Sequence, residues 1–235
     1  MIRLFVREKL STGFSFELDE KKTHYLIHVM RLGQNDTVLL FNGKDGEFEA
    51  TLTQVKKKSC TVLVGEKNKK QTSRPELILC PAIIKKENMD LVLQKTTELG
   101  VTKIFPLITD RTVVRGFNLE RANLIVQEAA EQSERLDVPV IYEPIRLKDL
   151  FLNLPKDVTP VFLTERGTSG EKTLFDVDVP AFIIGPEGGF TSAEVDFVLK
   201  HQNVMPLHLG DTILRAETAS IVAVGLMLLT GKNVL

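Results

Sequence analysis

A chain of 235 residues, 43% of them hydrophobic, is long enough to bury one large core or two small ones. Its net charge of −1 excludes a uniformly basic field, and no apolar run approaches the roughly 20 residues that a membrane-spanning helix needs. Two cysteines, Cys60 and Cys80, offer neither a disulfide framework nor metal-ligand spacing, so both are expected as small buried hydrophobes in a reducing cytoplasm. The first residues lack a basic-then-apolar export signal, which adds to the expectation of a cytoplasmic protein. Charge is not evenly spread. Residues 1–74 carry 14 Lys/Arg against 9 Asp/Glu, and the remainder carries 16 against 22. This asymmetry fits an N-terminal part that faces a polyanion, and equally two ordinary solvated surfaces.

Residues 1–74 read mainly as β. A helix is expected over 19–30, with Tyr25, Leu26 and Val29 on one face, then a strand over 37–41. Asn42-Gly43-Lys44-Asp45-Gly46 is a turn signal, and strands over 47–55 and 59–64 complete a meander around the Lys56-Lys57-Lys58 bend. Short strands with few helices suggest a small barrel. His24 and His28 sit one helical turn apart without a third ligand at suitable spacing, so packing or RNA contact is expected of them rather than a metal. The polar stretch 67–74, ending at Pro75, reads as a linker.

Beyond it the pattern changes to strand–helix alternation. Strands are expected over 77–84, 103–108, 138–142 and 160–164. Helices are expected over 88–99, stopped by Gly100, over 118–135, and near 147–152. Such alternation implies a parallel sheet with helices on both faces. The run 181–184 then ends in Gly185-Pro186-Glu187-Gly188-Gly189-Phe190-Thr191, a strand feeding a tight loop. Thr191-Ser192-Ala193-Glu194 has capping-box spacing and should open a helix running to about His201. A strand over 205–209 leads into Gly210-Asp211-Thr212-Ile213-Leu214-Arg215, and 216–230 is apolar almost all round, as in a helix enclosed by protein. Two neighbouring strands thus end in loops that open helices, the arrangement in which open α/β sheets bind ligands. The glycine loop is neither a Walker A loop nor a dinucleotide fingerprint. Its glycines permit positive φ and close backbone approach to a ligand, and without further context it is an ordinary turn.

Residues Ile184 through Glu194, followed by Leu207 through Ala219, resemble the RsmE family of SPOUT (trefoil-knot) methyltransferases, with "IGPEGGF…E" and "L…ILRAETA" in order and at matching spacing. Gly210-Asp211-Thr212 stands where many relatives read Gly-Pro-Arg, which bears on the local loop shape and one charge contact. The resemblance implies a PUA-like β-barrel RNA-binding domain over 1–74 and a knotted α/β parallel-sheet methyltransferase domain over 75–235. It implies S-adenosyl-L-methionine as cofactor, no metal, a homodimer, and 16S ribosomal RNA of the small subunit as partner. The implied reaction is methylation of uracil N3, at the uracil 1498 site of the family.

On this resemblance the cofactor is wrapped by Leu163, Thr164 and Glu165, by Ile184, Gly185, Pro186, Glu187, Gly188 and Gly189, and by Leu209, Gly210, Ile213, Leu214, Thr218 and Ala219. Arg215 and Glu217 are the charges at the mouth of an apolar helix. Arg215 opposes the helix dipole there and so calls for another reason, taken as charge stabilisation at the methyl-transfer centre, while Glu217 is catalytic or simply favourable to the dipole. His208 is expected within a strand, as core or interface. Arg3, Arg7 and Arg31, with Lys86, Lys95, Arg111, Gln132 and Arg135, are the candidates for RNA contact, since Lys and Arg to phosphate dominate such interfaces. Taken singly, each is more often a solvated helix face. Other readings remain: a SPOUT methylase acting on a ribose 2′-hydroxyl or a tRNA base, or a non-catalytic RNA-binding assembly factor. A nucleotide-binding metabolic enzyme is disfavoured by the missing phosphate-loop lysine.

Overall fold

The computed structural model describes residues 1–114, 116–164, 174 and 177–229. They divide into two compact units. The first is Met1–Ser73 with Ala130–Val138, and the second is Arg74–Ala129 with Pro139–Leu235. In chain order the elements are β1 (Arg3–Phe5), β2 (Ser15–Glu17), α1 (Glu20–His24), β3 (Thr37–Phe41), β4 (Glu47–Val55) and β5 (Cys60–Lys69). Then come β6 (Ile78–Pro81), α2 (Lys86–Glu98), β7 (Lys103–Ile104), β8 (Leu107–Ile108), α3 (Leu119–Gln132), β9 (Val140–Ile141) and β10 (Ile145–Arg146). The chain closes with α4 (Leu150–Asn153), β11 (Thr159–Leu163), β12 (Pro180–Ile184), α5 (Ser192–Leu199), β13 (Met205–Leu207) and α6 (Ala216–Leu229).

In the first unit five strands lie in the order β1-β3-β4-β5-β2, with β1 parallel to β3 and every other pair antiparallel. Leu4, Leu26, Val38, Leu40, Leu52 and Val62 are at the heart of its core. The expected turn between β3 and β4 forms because Asn42 Oδ1 accepts from the amides of Lys44 (3.0 Å) and Asp45 (2.8 Å). Gly46 is required there: φ is 97°, and a Cβ would lie 2.3 Å from the Lys69 carbonyl. The expected continuous helix over 19–30 is instead α1 followed by one π-helical turn, Tyr25–Val29. Within the wider turn Leu26 and Val29 no longer share a face, so Leu26 is buried while Val29 is 57% exposed. The linker expected over 67–74 is also shorter. Its first residues extend β5, where Lys67 and Lys69 pair with Phe48 and Glu47 of β4, and the Lys67 ammonium lies 5.1 Å from the Phe48 ring centre.

Arg3 and Arg135, expected at an RNA surface, are buried within this first unit. Arg3 Nε donates to Glu47 Oε2 at 2.6 Å, Nη1 to the Glu131 carbonyl at 2.9 Å, and Nη2 to the Arg135 carbonyl at 2.9 Å. Its guanidinium also lies 4.7 Å from the centre of the Phe41 ring. Glu47 is fully buried, and its other oxygen accepts from Asn68 Nδ2 at 2.6 Å. Arg135 Nη2 donates to Asp137 Oδ2 at 2.9 Å. A guanidinium reads identically in sequence whether it faces phosphate or caps helix carbonyls. Here the caps win, because a buried Glu47 demands a partner.

In the second unit six parallel strands run in the order β13-β11-β12-β6-β7-β9. The single strand expected over 103–108 is broken at Phe105-Pro106, where proline has no N–H for a ladder, and β8 pairs with β10 in a separate two-stranded sheet. Helix α2 buries Met89, Val92, Leu93, Thr96 and Thr97, and Gly100 follows its end at φ 102°. Helix α6 departs from the enclosed helix expected. Ser220, Ala223, Val224 and Met227 are buried, while Val222, Leu228 and Leu229 are exposed. Among the described residues no helix is long and apolar enough to cross a membrane. Cys60 and Cys80 are buried, and burial pushes both thiols up from their ordinary range, so neither is a ready nucleophile.

Replacing Arg3 by alanine strands a buried carboxylate. The expected loss in equilibrium urea unfolding, followed by circular dichroism, is about 3–5 kcal/mol. A loss under about 1 kcal/mol would show that Glu47 finds water or Lys69 instead.

Candidate active site

From β11 the chain passes inward to β12, then back across β11 to β13. Connections that leave neighbouring strand ends in opposite directions open a crevice beyond the carboxyl ends. A cavity of about 280 Å³ lies there, close to the lower bound of roughly 300 Å³ for small-molecule sites. Phe162, Leu163 and Thr164 wall it from the end of β11, and Ile184, Gly185, Pro186, Gly189 and Phe190 from the end of β12 and its loop. His208, Leu209, Gly210, Thr212, Ile213 and Leu214 close it from the segment after β13, and Ala216 and Ala219 from the first turn of α6. Val195 and Arg111 complete the wall, and Arg111 is the only charged side chain on it among the described residues.

The glycine loop is shaped by its own packing. The Gly189 amide closes a turn onto the Pro186 carbonyl at 2.9 Å, with Gly189 at φ 68°. A Cβ on Gly185 would meet the Phe190 ring at 2.9 Å, and that ring packs on Phe162 with centroids 4.9 Å apart. The expected capping box forms at α5: Thr191 Oγ1 accepts from the Glu194 amide, and Glu194 Oε2 from the Thr191 amide at 2.8 Å. The other oxygen of Glu194 accepts from the Asp110 amide at 2.8 Å. Next to it, Arg111 Nη1 donates to the Gly188 carbonyl at 2.7 Å. The segment 109–112 is thereby clamped onto the glycine loop from outside, while the Lys85 amide donates to Glu187 Oε1 at 3.3 Å on its other flank. Sequence reasoning missed this clamp. Its one legible signal is Glu194, whose role as a capping residue occupies only one of its two oxygens.

Of the residues expected to wrap a cofactor, Leu163, Thr164, Ile184, Gly185, Pro186, Gly189, Leu209, Gly210, Ile213, Leu214 and Ala219 are brought together on this wall. Glu187, Gly188 and Thr218 are exposed and off it, and Glu165 lies outside the described residues, as does the rest of its expected loop, Arg166 and Gly167. Gly188 departs furthest from expectation. A Cβ there would meet only the stem of Arg111, in ordinary contact at 3.5 Å, so the packing leaves room for a side chain at this position. His208, expected inside a strand, lies just beyond β13 on the cavity wall, with Nδ1 3.1 Å from the Thr164 carbonyl. The backbone amides of Leu209, Ile213 and Leu214, three residues of the wall, make no hydrogen bond to other described residues.

Arg215 and Glu217 flank this wall without lining it. Arg215 is exposed at the start of α6, and its side chain makes no hydrogen bond or ion pair with another described residue. Glu217 is buried, and its Oε2 has no partner among the described residues. Of the remaining RNA candidates, Arg7, Arg31, Lys86 and Gln132 are exposed, and Arg31 adopts a left-handed φ of 57°. Lys95 is half-buried and paired with Glu98 at 2.9 Å. Among the described residues no group of three or more His, Cys, Asp and Glu could hold a metal ion.

An RNA methyltransferase domain model matches residues 70–228, and an RNA methyltransferase PUA domain model matches 18–65. The chain is 36% identical to the ribosomal RNA small subunit methyltransferase E of Rickettsia conorii, with 98% of this chain and 96% of that protein covered. It is 28% identical to the namesake of Bacillus subtilis, with 95% and 94% covered. Among solved structures it superposes on the ribosomal RNA small subunit methyltransferase E of Neisseria gonorrhoeae bound to S-adenosyl methionine, with a TM-score of 0.89, 30% identity and 97% of each chain covered. A Legionella pneumophila methyltransferase in complex with the same cofactor gives a TM-score of 0.88 at 32% identity, again with 97% of each chain covered. With a domain model over most of its length and a relative 36% identical along nearly the whole chain, the chain belongs to the ribosomal RNA small subunit methyltransferase E family.

Proposed function

We propose that this protein transfers the methyl group of S-adenosylmethionine to N3 of a uridine in 16S ribosomal RNA. The observation that carries the reading is the cavity at the ends of β11, β12 and β13, in a chain of this family. Its residues fit an adenosyl group. Phe162, Leu163, Ile184, Leu209 and Leu214 offer apolar faces to a purine, and the unpaired amides of Leu209, Ile213 and Leu214 offer donors to its ring nitrogens. When bound, the cofactor supplies an electrophilic methyl on a sulfonium.

What the chain must add is alignment and charge stabilisation. Uracil N3 carries a proton at neutral pH, and it attacks well only as that proton leaves and negative charge spreads onto the flanking carbonyl oxygens. Arg215 suits this charge: it is exposed, unpaired among the described residues, and one residue from the cavity wall at Leu214 and Ala216. Glu217 offers a buried acceptor, its Oε2 without a partner among the described residues, two positions beyond Arg215. Uracil N3 is normally engaged in base pairing, so the target is unpaired or flipped out. The exposed Arg7, Arg31, Lys86 and Gln132, with Lys95 beside Glu98, are assigned to the RNA backbone. A cytoplasmic homodimer completes the reading, with the exposed Val222, Leu228 and Leu229 of α6 as its contact.

Four outcomes test this. Mass mapping of 16S RNA from cells lacking the protein should show one uridine short of a methyl group, restored by purified protein plus cofactor. No restoration rejects the enzyme and leaves an RNA-binding assembly factor. Arg215→Ala should slow methyl transfer by about 10²–10³-fold with cofactor affinity retained in calorimetric titration; Glu217→Gln should slow it without lowering the melting temperature, since a neutral amide is less costly to bury than an unpaired carboxylate. Gly185→Val, which drives the Phe190 ring out of place, should abolish cofactor binding in a folded protein; normal affinity would move the site elsewhere.

A further inference from the structure

We infer that Arg111 receives the carboxylate of the cofactor's amino-acid tail, an inference that rests on the cofactor reading above. A ligand of that class carries an adenosyl part and a zwitterionic tail. A carboxylate taken into a partly enclosed site needs a cation or several donors. Among the described residues Arg111 is the only charged side chain on the cavity wall.

The guanidinium is held ready for this task. Its Nη1 donates to the Gly188 carbonyl at 2.7 Å, while Nε and Nη2 have no partner among the described residues. Those remaining N–H groups belong to a rigid planar fork that matches a carboxylate with two parallel hydrogen bonds. The backbone behind it is pinned twice, by the Asp110 amide on Glu194 at 2.8 Å and by the Thr109 amide on Thr112 Oγ1 at 2.9 Å. Arg111 is exposed, and its bond to the Gly188 carbonyl leaves it less rotamer freedom to lose on binding than a free arginine has. An RNA phosphate would also suit a guanidinium. The placement favours the smaller anion: Arg111 is bonded to the loop that forms the cavity and lines the cavity itself, where a backbone phosphate of a long strand has no need to enter.

The test is calorimetric titration of the full chain with two probes. S-adenosylhomocysteine carries the carboxylate, and 5′-methylthioadenosine keeps the adenosyl part without it. Arg111→Ala should weaken S-adenosylhomocysteine about ten- to a hundredfold, the range of a charged hydrogen bond, and change 5′-methylthioadenosine less than twofold. Arg111→Lys, which keeps the charge and loses the fork, should recover part of that loss. Equal weakening of both probes overturns the inference, because Arg111 would then only brace the loop. Unchanged affinity for both, with RNA binding reduced, overturns it in favour of phosphate. If the unaltered protein binds neither probe, the cofactor reading fails and takes this inference with it.

Discussion

Glu194 holds the site together because one carboxylate is shared between two backbones. One oxygen closes the first turn of α5 through Thr191, and the other takes the amide of Asp110 from a segment 84 residues away in sequence. A capping box alone would order one helix start, worth about 1 kcal/mol. Sharing the group converts that local device into a tertiary one. It fixes where segment 109–112 lies, and through Arg111 it fixes the carbonyl of Gly188 and thus the outer edge of the glycine loop. The loop's inner edge is set by sterics: Gly185 has room for Phe190 and nothing else. With both edges defined, the loop needs no ligand to take its shape, which is the condition for binding without a large ordering cost.

The wall opposite is built differently. Residues 209–214 have amides without partners among the described residues and are largely exposed, so sequence-local bonding does not define them. What places them is the return of the chain from β12 across β11 to β13, followed at once by α6, whose start at Ala216 is buried. One wall is therefore rigid through hydrogen bonds and the other is adaptable within limits fixed by its anchored ends. Arg215 sits where the adaptable wall meets the helix, free of ion pairs among the described residues. A cation in that position opposes the helix dipole, a modest cost at an exposed site.

Sequence patterns located the strand-loop-helix units because their signals are local. Strand β4 has the bounds its alternation predicts, the Asn42–Gly46 turn forms, and Thr191 and Glu194 close as their spacing requires. The failures share another cause. Arg3 and Arg135 look like surface cations in one dimension, and only the burial of Glu47 and the open carbonyls at the end of α3 make them structural. The π-turn at Tyr25 leaves no composition signal, so Val29 was placed on the wrong face. His208 was read one step too deep because β13 ends at Leu207, two residues early. Gly188 lies off the cavity wall, and the side chain it faces comes from residue 111. In each case the deciding contact is distant in sequence, which no periodicity can register.

One feature of the first unit bears on how the chain comes into being. Its compact body includes Ala130–Val138, whose Ala130, Leu136 and Val138 cover Phe41 and Phe5 and whose carbonyls receive Arg3. Chains emerge from the ribosome amino end first, and domains generally fold as units while they do so. Here the leading sheet can assemble early, yet Arg3 and Phe41 stay without their lining until a further 65 residues or so of chain have been made. The leading body thus waits on its successor, and a cut between the two at residue 74 would release a half-finished object, one with an acidic group buried opposite an arginine that has lost its carbonyls.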